Sequence, residues 1–61
     1  MQITLKAARV NAGLTQIEAA DALNINRRTI ARWEQGKPKP TGKKLEQLCT
    51  LYGINEEQIK E

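Results

Sequence analysis

The stretch from residue 16 to residue 36 constrains the fold most, because it reads as two short helices joined by a tight turn. When Arg27 is set at zero and each residue advances about 100°, one arc of roughly 140° has no acidic residue. That arc holds Arg27, Arg28, Ala31, Arg32 and Gln35. The opposite arc holds Thr29, Ile30, Trp33 and Glu34. The second helix is therefore expected to have core residues on one side and a surface suited to a polyanion on the other.

Charge is concentrated in one segment of the chain. The 61 residues have a net charge of +3, but residues 27–44 hold seven Lys and Arg residues against Glu34 alone, which gives +6. Residues 1–26 sum to zero and residues 45–61 to −3. Such a basic segment is typical of a nucleic-acid binder, and a solvated lysine-rich loop is the plainer alternative. The arginines share one helix face, which favours nucleic-acid binding.

Length and composition exclude several classes of protein. We take residues 1–61 as a single small domain, which leaves no room for a deep enzyme cleft. The chain has no histidine and one cysteine, which excludes an internal disulfide or a zinc site built from several cysteines. That residue, Cys49, is expected in the core.

Localisation and ligands can be predicted from what the sequence lacks. No signal peptide or membrane-spanning apolar run is present, so we expect a cytoplasmic protein. We expect no cofactor, no metal and no small-molecule ligand. The chain ends on a charged helix without a linker, which favours a complete small protein over a piece of a longer regulator.

Capping residues predict five helices, near residues 4–12, 16–23, 27–35, 42–52 and 56–60. Four of them follow a residue suited to an N-cap: Thr15, Asn26, Thr41 and Asn55. Glu18 completes a capping box with Thr15. Three helices are followed by a glycine that can adopt the left-handed conformation: Gly13, Gly36 and Gly53. No segment alternates with period two, so no strand is predicted.

The core is expected to come from apolar residues at helical spacing. They are Leu5, Ala8, Leu14, Ile17, Ala20, Leu23, Ile25, Ile30, Trp33, Leu45, Leu48, Leu51, Tyr52, Ile54 and Ile59. Trp33 shares an arc with Ile30, which favours a core position over stacking on a base. Glu34 faces inward beside Trp33 and needs a partner there. Arg9 of the first helix is expected to supply it as a partly buried pair, and exposed contacts with Lys37 or Arg32 are the alternative.

Several motifs together resemble the Cro/phage-repressor (XRE) type of helix-turn-helix regulators over residues 4–59. They are Gly13-Leu-Thr-Gln-x-x-Ala-Ala-x-x-Leu-x-Ile, Ile30-x-x-Trp33-Glu34-x-Gly36, Pro40-Thr41, Leu45, Leu48 and Tyr52-Gly53-Ile54. The resemblance implies an all-α, compact, five-helix lambda-repressor-like DNA-binding domain whose second and third helices form the helix-turn-helix. It also implies a homodimer on a pseudo-palindromic operator in double-stranded DNA.

Two departures from the family pattern affect this expectation. Asn24 stands where the family usually has glycine in the turn, and asparagine tolerates the left-handed region better than other non-glycine residues. Arginines at positions 27, 28 and 32 replace the commoner Ser, Gln or Asn. They indicate guanine-rich half-sites or additional phosphate contacts.

The sequence therefore predicts a sequence-specific transcriptional regulator, phage- or prophage-associated, and a repressor of the Cro kind. Base-reading residues are expected on the second helix of the motif: Arg27, Arg28, Ala31 and Arg32. Residues expected to contact the DNA backbone or to orient other side chains are Gln16, Asn26, Gln35, Lys37, Lys39 and Lys43. An antitoxin component and a protein-interaction module acting as an antirepressor are the alternatives with the same fold. We expect no catalytic residue.

Overall fold

The computed structural model describes residues 2–36 and 38–59, which form four α-helices followed by a short 3₁₀ turn. The helices are α1 (Leu5–Asn11), α2 (Gln16–Leu23), α3 (Arg27–Glu34) and α4 (Gly42–Tyr52), and the 3₁₀ turn is Glu56–Gln58. Both α1 and α2 pack against α3 and α4. The described residues contain no strand, but an isolated parallel bridge joins Ile3 to Ile59.

The starts of the helices largely follow the predicted capping residues. Thr15 Oγ1 accepts the Glu18 N–H at 3.1 Å, and the Glu18 carboxylate accepts the Thr15 N–H at 2.9 Å, so the capping box is confirmed. Thr41 precedes α4 but makes no side-chain capping bond. Gly42, the next residue, has a left-handed φ of 55°. This backbone conformation differs from the one in which the hydroxyl of an N-cap residue reaches the third N–H of its helix.

The turn between α2 and α3 holds Asn24 in the left-handed region, with φ 57° and ψ 47°. The N–H of Asn24 donates to the carbonyl of Asp21 at 3.1 Å, and the N–H of Ile25 donates to that of Ala20 at 2.9 Å. These two bonds form a Schellman motif, which satisfies the last carbonyls of α2. The asparagine therefore makes the turn for which glycine is usual, as its place in the sequence predicts.

The core confirms most of the predicted residues and corrects one. Its buried apolar side chains are Leu5, Ala8, Ala19, Ala20, Leu23, Ile30, Trp33, Leu48 and Tyr52. Cys49 is also buried, as expected. Ile17 is 59% exposed, so its predicted place in the core is wrong. Ala19, Ala20 and Leu23 form the inner face of α2, and Ile17 lies roughly 110° from the centre of that face.

The C-terminal end of the fold corrects the predicted fifth helix. In the described residues a 3₁₀ turn, Glu56–Gln58, stands in its place, and residues 60 and 61 lie outside them. Ile59 is extended, with φ −73° and ψ 125°, because it pairs with Ile3, and this pairing ends the turn. Among the described helices, none has both the length and the apolar character needed to cross a membrane.

Candidate nucleic-acid interface

Helix α3 begins at a side-chain cap that fixes its first turn. The Asn26 Oδ1 atom accepts the N–H of Arg28 at 2.9 Å, and the carbonyl of Asn26 accepts the N–H of Thr29 at 2.9 Å. One of the N–H groups left unpaired at a helix N-terminus is satisfied in this way. The exposed Asn26 side chain therefore acts within the protein as a cap.

The two faces of α3 differ in burial as the helical projection predicts. Ile30 is 1% exposed and Trp33 is 9% exposed, so this face is anchored in the core. The outer face contains exposed or half-buried side chains: Arg27, Arg28, Ala31, Arg32 and Gln35. Within the described residues, the three guanidinium groups form no hydrogen bond or ion pair. Helix α3 thus presents three guanidinium groups whose hydrogen-bond donors have no partner among those residues.

The lysines predicted as backbone contacts lie in different surroundings. Lys39 is exposed and borders a groove beside the C-terminal end of α3, where Gln35 also lies. Lys43 is exposed on the first turn of α4 and borders a separate groove beside Leu23, at the end of α2. Lys37 lies outside the described residues. The structure therefore groups Lys39 with α3 and places Lys43 closer to α2.

Arg9 and Glu34 form the expected contact between α1 and α3. The Nε atom of Arg9 is 2.6 Å from Oε2 of Glu34, and the Nη2 atom donates to Oε1 at 3.4 Å. The two side chains are only 10% and 7% exposed. Arg9 Nη1 also donates to the Leu14 carbonyl at 2.7 Å, in the turn before α2. One guanidinium therefore joins α1, this turn and the end of α3.

Gln16, which is half-buried, is the third member of this cluster. Its Nε2 atom donates to Oε1 of Glu34 at 3.1 Å. Gln16 is the first residue of α2 and Glu34 is the last residue of α3, so the bond spans the two helices of the motif. Residues 18 positions apart meet only because of the angle between these helices. No local sequence pattern could predict this contact.

Three ionisable groups in the core have pKa values raised by their surroundings. The hydrogen bond with Glu34 raises the pKa of Arg9 above its ordinary value. Burial and the nearby Glu34 carboxylate raise the pKa of Tyr52 to about 12. Burial, with a smaller effect of Glu56, raises the pKa of the Cys49 thiol. At neutral pH this thiol is protonated, which is the unreactive form.

Comparison with known proteins gives matches for most of the chain. Residues 5–59 match the family described as Helix-turn-helix. The chain is 36% identical over 55 residues to the HTH-type transcriptional regulator ImmR of Bacillus subtilis (strain 168), covering 90% of this chain and 43% of that protein. It is 49% identical over 45 residues to the type II methyltransferase M.SsoII of Shigella sonnei, covering 69% of this chain and 12% of that protein. No solved structure matched the chain.

The chain spans less than half of the regulator and about an eighth of the methyltransferase. The similarity to the methyltransferase therefore leaves most of that protein without a counterpart here. The family match, in contrast, includes all four α-helices and the turn between α2 and α3.

Proposed function

Because the chain belongs to the XRE-type helix-turn-helix family, we propose that it is a sequence-specific regulator of transcription that binds double-stranded DNA as a Cro-like repressor. The observation that carries this proposal is the outer face of α3, with its three exposed arginines on a helix anchored by Ile30 and Trp33. The similarity to the transcriptional regulator ImmR supports the regulatory role. No catalytic activity is proposed for this chain.

Helix α3 lies in the major groove in this proposal, as the second helix of such motifs does. Arg27, Arg28 and Arg32 donate bidentate hydrogen bonds to guanine O6 and N7. Ala31, half-buried between them on the helix surface, leaves room for the helix to approach the base edges closely. Sequence preference therefore comes from the arginines, and half-sites rich in guanine are expected.

Other residues hold the DNA backbone and set the register of the helix. The proposed phosphate contacts and orienting groups are Gln16, the backbone at Asn26, Gln35, Lys37, Lys39 and Lys43. Lys39 lies beside the end of α3, and Lys43 lies beside the end of α2. Backbone contacts from both helices of the motif would fix the angle at which α3 enters the groove.

Two copies of the chain bind one operator in this proposal, because one small module seldom gives operator-level affinity. Two half-sites one helical turn apart, about 34 Å, suit such a dimer. The exposed side chains of the 3₁₀ turn and of α4 beyond its first turn are polar: Glu46, Gln47, Thr50, Glu56 and Glu57. Self-association through this region is therefore expected to be weak in solution and cooperative on DNA. Sedimentation that gives a tight dimer at nanomolar concentration without DNA would contradict this assembly.

Selection of bound sequences from random duplex DNA tests the proposed function. The native chain is expected to enrich a two-fold symmetric pattern with guanines in each half. The variant Arg28→Ala is expected to lose preference at one or two positions in each half-site. Lys6→Ala, which removes one exposed positive charge from α1, is the matched control and should keep the pattern. Failure of the native chain to enrich any pattern would refute sequence-specific DNA binding.

A further inference from the structure

The cluster of Arg9, Glu34 and Gln16 joins the fold to the edge of the candidate interface. The side chains of Arg9 and Glu34 are 10% and 7% exposed, and Gln16 as a whole residue is half-buried. Gln16 thus keeps solvent-accessible surface at the N-terminus of α2. The other two members face the protein interior, where α1 meets the end of α3.

The chemistry of the cluster fixes the orientation of the Gln16 amide. A carboxylate only accepts hydrogen bonds, so the atom of Gln16 that lies 3.1 Å from Glu34 must be the amide nitrogen. One N–H of the amide is then used, while its second N–H and its oxygen are left for other partners. Arg9 balances the charge of Glu34, so the cluster adds no net negative charge near a DNA phosphate.

We propose that Glu34 is a positioning residue for DNA binding that acts through Gln16. The carboxylate, held by Arg9, keeps the Gln16 amide in one orientation at the N-terminus of α2. The second N–H of that amide is then ready for a phosphate without first losing side-chain freedom. This inference rests on the proposed function, and it assigns to the Arg9–Glu34 pair a role beyond stabilising the fold.

A paired substitution separates positioning from stability. Replacing Arg9 and Glu34 together, as Arg9→Met with Glu34→Leu, removes both charges and keeps the net charge and most of the buried volume. Replacement of a whole buried ion pair by apolar residues is often neutral or stabilising. The double variant is expected to melt near the native temperature and to bind the selected duplex about tenfold more weakly, because Gln16 has lost its partner.

Gln16→Met, made in both backgrounds, measures the coupling. It should weaken binding about tenfold in the native chain and less than about twofold in the double variant. Gln2→Met, which changes an exposed glutamine before α1, is the matched control and should leave affinity unchanged in both backgrounds. Equal losses from Gln16→Met in the two backgrounds would overturn the positioning role while leaving the proposed function intact. If the native chain bound no duplex, the proposed function would fail, and the positioning role with it.

A measurement on the native chain tests the same inference without any variant that could fail to fold. Nuclear magnetic resonance relaxation of the side-chain amides should give Gln16 an order parameter near that of rigid backbone, about 0.8, and Gln47 a value below about 0.6. A Gln16 amide as mobile as that of Gln47 would overturn the proposal.

Discussion

Removal of the Glu34 carboxylate is expected to destabilise the fold, apart from any effect on DNA binding. In Glu34→Ala, the guanidinium of Arg9 keeps only the Leu14 carbonyl, and Nε loses a partner at 2.6 Å. The Arg9 side chain is 10% exposed, so water cannot fully replace the lost acceptor. Breaking a buried pair in this way costs about 3–5 kcal/mol. A chain of this length has a total stability of only about 3–9 kcal/mol, so the loss is a large fraction.

Urea and thermal unfolding of Glu34→Ala, Arg9→Ala and the double alanine variant test this magnitude. A fixed concentration of a stabilising osmolyte in every sample keeps the weaker variants partly folded. The double variant is expected to lose about 1–3 kcal/mol less than the sum of the single losses. Glu46→Ala, which removes an exposed carboxylate from α4, should stay within about 0.5 kcal/mol of the native chain. Additive losses would refute the reasoning, because they would mean that Arg9 and Glu34 do not interact.

Three further predictions concern the interface and the turn. Arg28→Ala and Arg32→Ala should each cost about 1–3 kcal/mol on the selected duplex and relax base preference, whereas Lys39→Ala should weaken binding to selected and mixed-sequence duplexes alike. Titrations followed by fluorescence anisotropy would distinguish these outcomes, and equal losses from the arginine changes on both duplexes would make those residues phosphate contacts. With about four to six phosphate contacts per subunit, the logarithm of the binding constant should fall steeply as the logarithm of the salt concentration rises. A slope of this plot shallower than about −3 would contradict a dimer anchored on phosphates. Asn24→Ala should lower the free energy of unfolding by about 1 kcal/mol, since alanine fits the left-handed region poorly. Asn24→Gly should keep or raise that free energy. Equal melting temperatures for the two variants would contradict this explanation of the turn.

Local rules predict the parts of the fold that depend on neighbours in sequence. The capping box of Thr15 with Glu18 and the left-handed Asn24 are examples, because each involves residues within a few positions. The predicted core position of Ile17 is wrong because it rests on the apolar side chain alone. The angular position of Ile17 on α2 places it away from the buried face of that helix. The buried face of that helix is instead formed by the small Ala19 and Ala20 together with Leu23.

The candidate site likewise has one part that local sequence predicts and another part that depends on the packing of helices. The outer face of α3 follows from its own sequence, as the exposure of Arg27, Arg28 and Arg32 indicates. The contact of Gln16 with Glu34 depends on the packing of α2 against α3, which no helical projection contains. The extended Ile59 likewise depends on its distant partner Ile3.

The affinity of the native chain for its selected duplex, compared with a scrambled duplex of the same composition at the same salt concentration, tests the central claim most directly. If the arginines of α3 read base edges, the selected duplex should bind at least about a thousandfold more tightly. Equal affinities for the two duplexes would show that the basic face recognises only the phosphate backbone, and would contradict sequence-specific regulation.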